Sequence, residues 1–481
     1  MSKLHRYLCW DNKLIDDSSD IEIRMHHPER KNISLYCDNE WEGPCNGYCC
    51  IIKANGEYRM YYRADSSRHI VDDNMQFKGK PVICVALSKD GKTFRKPNLG
   101  LFEYNGTKDN NIVYMRETNI DNFSVFYDVN PNCPEDEKFK ALSQERVDGI
   151  DVLSYFASED GFRFRFVRHL PIKGTFDSYN VVMYDLDRQK YFMYYRAFHK
   201  KDGTDVFTFR NMNIYEVIRD VRVATSENFS DWTEHGRISL EEGQEDYQLY
   251  INQICRYYRS PETFIGFPVR YYDRSEERRN FDFMPLADRH RIIYEKFKRE
   301  GTAVTDCVVM TSHDGFTFDR RDEAFLTPGI EGRDNWWYGD CYMAYGMAET
   351  ESDNPYEPNE ISMYVGENYR IKHVNFVRMT LRLDGFFSWY GKYSKGKVTT
   401  KPIEVSSNEM RINFASSALG GVKVTLLDET GAPIEGYSSY VMFGNTVDRP
   451  VEFEKDLSEL KGQKVKIRFD ISDTHLYSFV I

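Results

Sequence analysis

The chain has 481 residues, a formal net charge of -12 and an aromatic content of 15%. This length predicts two or more domains, and the negative charge argues against a nucleic-acid partner. No apolar run approaches the ~20 residues of a membrane-spanning helix. The opening MSKLHRYLCW lacks the apolar region of a signal peptide. We therefore expect a cytoplasmic protein if this N-terminus is native, and a periplasmic or secreted one otherwise.

Two motifs recur along the chain and indicate an internal repeat. The pentapeptide Met-Tyr-Tyr-Arg-Ala occurs at 60–64 and again at 193–197. A Ser-x-Asp-Gly-x-x-Phe motif, or a remnant of it, follows an apolar stretch in five places, and its Asp-Gly pair predicts a hairpin turn. The longest interval between copies contains 287–300, whose apolar residues recur at helical spacing and predict an inserted helix. The central residues of the five copies are Asp90, Asp160, Asn228, Asp314 and Asp384.

The repeats predict the domain organisation of an all-β protein. A second hairpin precedes each marker, so each unit has four strands, and five such units indicate a five-bladed β-propeller over 36–397. Short strands separated by Gly and Asp turns predict a C-terminal β-sandwich at 398–481. Residues 1–35 are expected to pack on the propeller or on the sandwich.

Propeller geometry brings polar residues of all five units to one place. The first strand of each blade lines the central channel, so residues just before it and just after the second strand share one channel mouth. An Asn at a strand start often binds its own backbone, and an Arg after a strand often pairs with an acid. The common register across blades nevertheless favours a polar ligand site. The residues are Asn46, Asn122, Asn180, Asn252 and Asp340 at the first-strand starts, Glu42, Asp121, Asp177 and Tyr250 upstream of them, and Arg63, Glu145, Arg196, Arg270 and Glu367 at the second-strand ends.

Such a mouth suits the hydrolysis of a glycosidic bond, which needs two carboxyl groups flanking that bond. Nearby arginines keep one carboxylate ionised, whereas an apolar setting raises the pKa of the other. No P-loop, HExxH, GxSxG or GxGxxG motif points to another chemistry, and no metal or cofactor is predicted. The catalytic candidates are Asp177, Glu367, Glu42 and Asp340. The substrate-binding candidates are Arg63, Arg196, Arg270, Asn122, Asn180, Asn252 and Trp337, the last of which either stacks on a sugar ring or packs as a structural residue.

Three arginines are more than a neutral sugar needs, because guanidinium groups match carboxylate, sulfate and phosphate. One interpretation is an acidic or sulfated sugar. A second is a glycoside phosphorylase that uses inorganic phosphate, and a third is that the arginines only pair with the surrounding acids. A carbohydrate-binding propeller without catalysis is the alternative from another class. The sequence leaves the sugar, the linkage and the oligomeric state open.

Several stretches resemble a known family, the five-bladed propeller glycosidases that include fructosidases and arabinan-degrading enzymes. They resemble in particular bacterial glycosidase-like proteins with a β-sandwich after the propeller. The resemblance implies that acids from three blades act as base or nucleophile, as transition-state stabiliser and as acid. Glu42, Asp177 and one of Asp340 or Glu367 fall nearest to these roles. The fructosidase signature Trp-Met-Asn-Asp-Pro-Asn-Gly is absent, and WEGPCNG stands near its place. The matching stretches are WEGPCNGY (41–48), NFSVFYD (122–128), FDSYNVVMYD (176–185), LYINQ (249–253), GFPVRYYDR (266–274), TLRLDGF (380–386), TTKP (399–402) and LYSF (476–479).

Overall fold

The computed structural model describes residues 5–481 except 67, 72–73, 78, 119, 209–212, 286, 333, 337 and 371–372. Five separate sheets of four or five strands follow one another along the chain, and the innermost strands of neighbouring sheets meet around a common axis. The predicted all-β class and the five-bladed propeller are confirmed.

The first three blades each run from an inner strand outward in chain order, with antiparallel pairing throughout. A short hairpin, Arg68–Val71 with Asn74–Phe77, lies between the second and third strands of blade 1. The strands are Gly47–Ala54, Glu57–Ala64, Val82–Ser88 and Ile112–Tyr114 in blade 1, Ser124–Tyr127, Phe139–Val147, Ile150–Ser158 and Arg165–His169 in blade 2, and Val181–Asp185, Lys190–Lys200, Val217–Ser226 and Thr233–Arg237 with the addition Asp205–Val206 in blade 3.

Blade 4 carries an insertion, and blade 5 is closed by the N-terminal segment. The outer strand of blade 5 is Glu29–Tyr36, which pairs with Asn375–Arg382 and so ties the start of the chain to the last blade. The other strands are Cys255–Arg256, Phe264–Gly266, Met310–Ser312 and Thr317–Arg320 with the parallel addition Ser239–Leu240 in blade 4, the pair Val269–Asp273 and Ala303–Cys307 that extends blade 4, and Ala348–Thr350 and Glu360–Glu367 in blade 5.

The insertion contains the predicted helix, which spans Ala287–Phe297. A 3-10 segment, Ser275–Phe283, precedes it, and a second one, Lys298–Gly301, follows it. Two further 3-10 turns lie at Glu135–Glu137 and Leu457–Leu460. Among the helices within the described residues, none is long and apolar enough to cross a membrane.

The C-terminal region is rich in sheet, as expected, and it recruits three strands from the N-terminal segment. All of its strands belong to one hydrogen-bonded network of ten strands around a separate apolar core, so a two-layer sandwich stays a prediction. The strands are Arg6–Leu8, Ile15–Ser19, Ile21–Met25, Phe387–Gly391, Gly396–Thr400, Ile403–Glu404, Met410–Leu427, Pro433–Ser438, Asn445–Val451 and Lys464–Val480.

The Asp-Gly motif forms a turn after the third strand of blades 1 to 4. In blade 2 the Gly161 N–H donates to Ser158 Oγ at 2.9 Å, and Asp160 Oδ1 accepts the N–H groups of Phe162 and Arg163 at 2.7 and 2.9 Å. One side chain thus satisfies the backbone donors of a tight turn. Equivalent bonds surround Asp90, Asn228 and Asp314.

The first tyrosine of each pentapeptide joins neighbouring blades through these turns. Tyr61 donates to the Gly161 carbonyl at 2.9 Å, and Tyr194 donates to the Gly315 carbonyl at 2.8 Å. Both glycines have positive φ, 76° and 82°, and a Cβ there would lie 2.7 and 2.9 Å from the tyrosine oxygen. The motif is therefore repeated because each copy performs the same blade-to-blade contact.

Candidate active site

The first-strand starts and second-strand ends surround a cavity of about 560 Å³. This volume is within the ~300–1,000 Å³ range of small-molecule sites. Every blade contributes to its wall, as the channel geometry predicts. The charged residues that line it are Arg63, Asp65, Asp121, Arg146, Asp177, Glu300 and Arg370.

Asp177 reaches the cavity from a turn that several predicted binding residues hold in place. It follows Phe176, whose φ of 53° is unusual for a residue with a side chain. The Phe176 carbonyl accepts from Asn122 Nδ2 at 3.1 Å and from Asn180 Nδ2 at 2.9 Å. Arg196 donates to the Asp177 carbonyl at 3.3 Å. Asn122, Asn180 and Arg196 therefore position the backbone that presents Asp177.

The carboxyl of Asp177 has the most distinctive electrostatic setting in the cavity. Burial and the hydrogen-bonded carboxylate of Asp121 raise the pKa of Asp177 to about 7, although Arg196 and Arg219 act in the opposite direction. Asp121 itself forms an ion pair with Arg63. Two carboxyl groups in contact do not both ionise readily, so Asp177 keeps its proton close to neutral pH.

Each guanidinium group that lines the cavity has an acidic partner. The Arg63–Asp65 and Arg370–Glu300 pairs are enclosed, with both side chains of each pair largely buried, whereas the Arg146 side chain is 58% exposed. This pairing favours the interpretation that the arginines balance the ring of acids. Arg63 pairs with Asp65 at 3.9 Å and with Asp121. Arg146 pairs with Asp151 at 3.1 Å, and Arg370 pairs with Glu300.

Tyrosines form much of the remaining wall of the cavity. Tyr338 donates to the Tyr250 hydroxyl at 2.5 Å, and the rings of Tyr342 and Tyr369 stack at 6.4 Å. The Tyr48 ring lies beneath the Arg63 guanidinium, 5.1 Å from it. Flat faces with a hydroxyl at one edge suit a sugar, which has apolar ring faces and polar rims.

The cavity also contains unusual backbone and a buried amide that lacks one partner. Tyr48, Gln253 and Arg370 have φ values of 45°, 46° and 64°. Among the described residues, none hydrogen-bonds to Gln253 Oε1, while its Nε2 donates to the Met343 carbonyl at 2.6 Å. Strained backbone and an orphaned buried acceptor are typical of ligand sites.

The other predicted acids lie outside this cavity. Glu42 is buried, accepts from the Tyr62 hydroxyl at 2.6 Å and pairs with Lys96 at 2.7 Å. Asp340 and Glu367 line a second pocket of about 500 Å³, where Glu367 binds Arg30 through two bonds of 2.8 and 2.9 Å. The prediction that these three carboxyls join Asp177 at one mouth is therefore corrected. These side chains contact other parts of the molecule, because register fixes a residue's position along a strand but not the contacts of its side chain.

The predicted binding residues divide in the same way. Arg63 lines the cavity, whereas Arg270 binds Asp306 at 2.9 and 2.5 Å outside the cavity. Asn252, like Asn122 and Asn180, uses its amide on the backbone, accepting the Ile254 N–H at 3.1 Å. Trp337 lies outside the described residues.

Sequence reasoning missed four charged residues of the cavity. Sequence reasoning could have found Asp65, because it follows Arg63 by two positions and residues i and i+2 of an extended segment lie on the same face. Arg146 follows the predicted mouth residue Glu145 by one position. Glu300 ends an insertion, and Arg370 lies in a loop, and no periodicity marks either of them. Among the described residues, no group of three His, Cys, Asp or Glu side chains could hold a metal ion.

No protein-family model matches the chain, and no curated protein sequence matches it. Known structures of glycoside hydrolases and glycoside phosphorylases are similar to it. One is from the GH130 family of mannoside phosphorylases that contains hydrolases of β-1,2-mannosidic linkages (13% identity, 74% of this chain and 94% of that one, TM-score 0.42). Others are a β-1,2-mannobiose phosphorylase from Listeria innocua (12%, 76% and 99%, 0.44) and a thermostable family-43 glycoside hydrolase (13%, 74% and 96%, 0.39). The five sheets, and not this similarity, define the propeller.

Proposed function

We propose that the protein cleaves glycosidic bonds in this cavity, with Asp177 as the proton donor. The observation that carries the proposal is a carboxyl with a pKa raised to about 7, placed in a cavity of suitable size beside tyrosine faces. An acid that keeps its proton near neutral pH is what departure of a sugar alkoxide needs.

The cavity supports a hydrolytic sequence with one carboxyl in each role. Asp177 gives its proton to the glycosidic oxygen as the bond from that oxygen to the anomeric carbon breaks. Asp65 takes a proton from the water whose oxygen bonds to the same carbon. Asp121 stays hydrogen-bonded to Asp177 and tunes its pKa, and Arg63, between Asp65 and Asp121, balances the charge of both.

A glycoside phosphorylase is a second candidate. In that reaction a phosphate oxygen, instead of water, bonds to the anomeric carbon, and Asp177 again protonates the leaving oxygen. The accessible guanidinium of Arg146 supports this candidate, because it lines the cavity and its side chain is 58% exposed. The anionic group of an acidic or sulfated sugar would bind the same guanidinium of Arg146.

The experiment is a panel of nitrophenyl and dinitrophenyl glycosides of the common sugars, assayed with and without inorganic phosphate. Asp177→Asn should lower kcat/KM on an unactivated disaccharide of the sugar that the panel identifies by about 100-fold or more, because a sugar alkoxide needs a proton to leave. The loss on the dinitrophenyl glycoside should be much smaller, because that leaving group departs without a proton. Turnover that requires phosphate would identify the phosphorylase.

The matched control is Asp148→Asn, an exposed hairpin residue of blade 2 with positive φ, which Asn tolerates. It should keep wild-type rates. Equal losses on the disaccharide and on the dinitrophenyl glycoside would exclude Asp177 as the general acid. Sugar binding without turnover of any substrate would make the protein a binding module.

A further inference from the structure

The blade 4 insertion contributes one side chain to the cavity wall. The insertion leaves the paired strands Val269–Asp273 and Ala303–Cys307, and of its described residues only Glu300 lines the cavity. The turn that carries Glu300 is fixed to the preceding helix. His290 Nδ1 lies 3.2 Å from the Gly301 carbonyl, and a Cβ on Gly301 would lie 2.3 Å from the Tyr294 nitrogen.

Glu300 meets Arg370 and joins the insertion to two other blades. The Glu300 and Arg370 side chains form an ion pair and are 16% and 4% exposed. The Arg370 N–H donates to the Pro44 carbonyl at 2.5 Å, just before blade 1. Its guanidinium lies over Tyr338 and Tyr369, at 5.1 and 5.4 Å from the ring centres. Blades 4, 5 and 1 are thus bridged on one side of the cavity.

The opposite side of the cavity is more open. Blade 2 contributes Asp121, Gln144 and Arg146, which are partly exposed, and the Arg146 side chain is 58% exposed. Asp177 contacts Asp121, so the proton donor lies towards this open side. A sugar between Asp177 and the tyrosines would end against the Glu300–Arg370 pair, and the rest of its chain would leave over blade 2.

We infer that the Glu300–Arg370 pair determines specificity by closing the cavity, so that only a chain end is cleaved. The inference rests on the proposed function. A chain that passes through the site would have to separate a buried ion pair. That separation is costly, because it leaves two enclosed charges unpaired. The residues act as a wall, and the chemistry remains with Asp177.

The experiment uses the wild-type protein and the sugar whose aryl glycoside it turns over. One probe is a six-unit oligosaccharide of that sugar, and the other is the same chain with a bulky group at each end. We expect early products of one size from the free chain and a rate at least about 100-fold lower on the blocked chain. Comparable rates, or early products of many lengths, would overturn the inference alone. Failure to cleave any glycoside would overturn the proposed function as well.

The double variant Glu300→Gln/Arg370→Gln removes both charges, so no single buried charge is left. The ratio of kcat/KM on the blocked chain to that on the free chain should rise about tenfold or more. The matched control Glu295→Gln, exposed on the helix of the same insertion, should leave this ratio unchanged. An unchanged ratio in a folded double variant would refute the role of the pair.

Discussion

Two enclosed aspartates, Asp384 and Asp177, have opposite surroundings. Asp384 is fully buried where blades 4 and 5 meet the ten-stranded sheet, and it accepts bonds from both arginine and hydroxyl donors. Although burial raises its pKa, Arg259 and Arg6 hold the pKa of Asp384 below its ordinary value. Asp177 instead has another carboxylate as its neighbour, and its pKa is raised. The donors to the Asp384 carboxylate are Arg6 at 3.1 Å, Arg259 at 2.8 Å, Tyr257 at 2.7 Å, Ser478 at 2.6 Å and Asn413 at 3.4 Å.

The difference separates a structural charge from a reactive one. The protein surrounds Asp384 with every donor that a buried carboxylate needs, and so uses its charge to join two parts of the molecule. At Asp177 burial and a neighbouring carboxylate outweigh the nearby arginines, which keeps a proton available in the cavity. Both residues lie in or near the repeated motifs, yet only their surroundings assign their roles.

The largest expected effect comes from breaking the Asp384 cluster. Asp384→Asn should lower the free energy of unfolding by about 3–5 kcal/mol near pH 7, because two largely enclosed guanidinium groups lose the buried carboxylate that they share. The pKa of Asp384 is lowered in the folded protein, so its contribution is present above the unfolded pKa and is lost as pH falls through the folded pKa. Urea unfolding should therefore show the difference shrinking in acid.

Asp470→Asn is the control for this change, since it removes a half-exposed partner of Arg468 and should cost ~1 kcal/mol or less. If Asp384→Asn lowered the free energy of unfolding by only ~1 kcal/mol or less, the contrast between Asp384 and Asp177 would be contradicted.

A smaller effect is expected from the neighbour of Asp177. Asp121→Asn removes the charge that, after burial, does most to raise the pKa of Asp177. Wild-type kcat/KM should decline as pH rises through about 7, where Asp177 loses its proton. In the variant this decline should begin about one pH unit lower, or ~1.4 kcal/mol in proton affinity. The measurement is the pH profile on the aryl glycoside, with Asp148→Asn as the control. An unmoved alkaline limb would show that Asp121 does not tune Asp177.

The smallest effect is one of stability at Asp177 itself. Because its folded pKa is raised, the proton contributes stability fully below the unfolded pKa, and this is lost as pH rises through about 7. Asp177→Asn, which cannot ionise, should therefore raise the free energy of unfolding by ~1 kcal/mol near pH 8 and change it little near pH 4. Thermal unfolding at the two pH values tests this. A lower melting temperature for the variant near pH 8 would contradict the assignment.

Much of the fold follows from local sequence. Asp-Gly turns, alternating strands and their repetition predict four-stranded units, because turn chemistry and strand periodicity act over a few residues. The closing strand Glu29–Tyr36 was not assigned to blade 5, since its pairing with Asn375–Arg382 spans almost the whole propeller. The helix predicted within 287–300 is confirmed at Ala287–Phe297, because the spacing of apolar residues that predicts a helix is also a local property of the sequence.

The sequence predicted some residues of the cavity and missed others. Register alone placed Arg63, Asp121 and Asp177 at one mouth, because blade geometry converts equal positions in a repeat into equal levels along the channel. Tertiary structure decided which side chains reach the cavity. Glu42 instead binds Lys96 and Tyr62, and Arg270 binds Asp306, whereas Glu300 enters the cavity from an insertion. Sequence spacing fixes where a residue lies along a strand, whereas its direction and pKa depend on charges and contacts brought from distant parts of the chain.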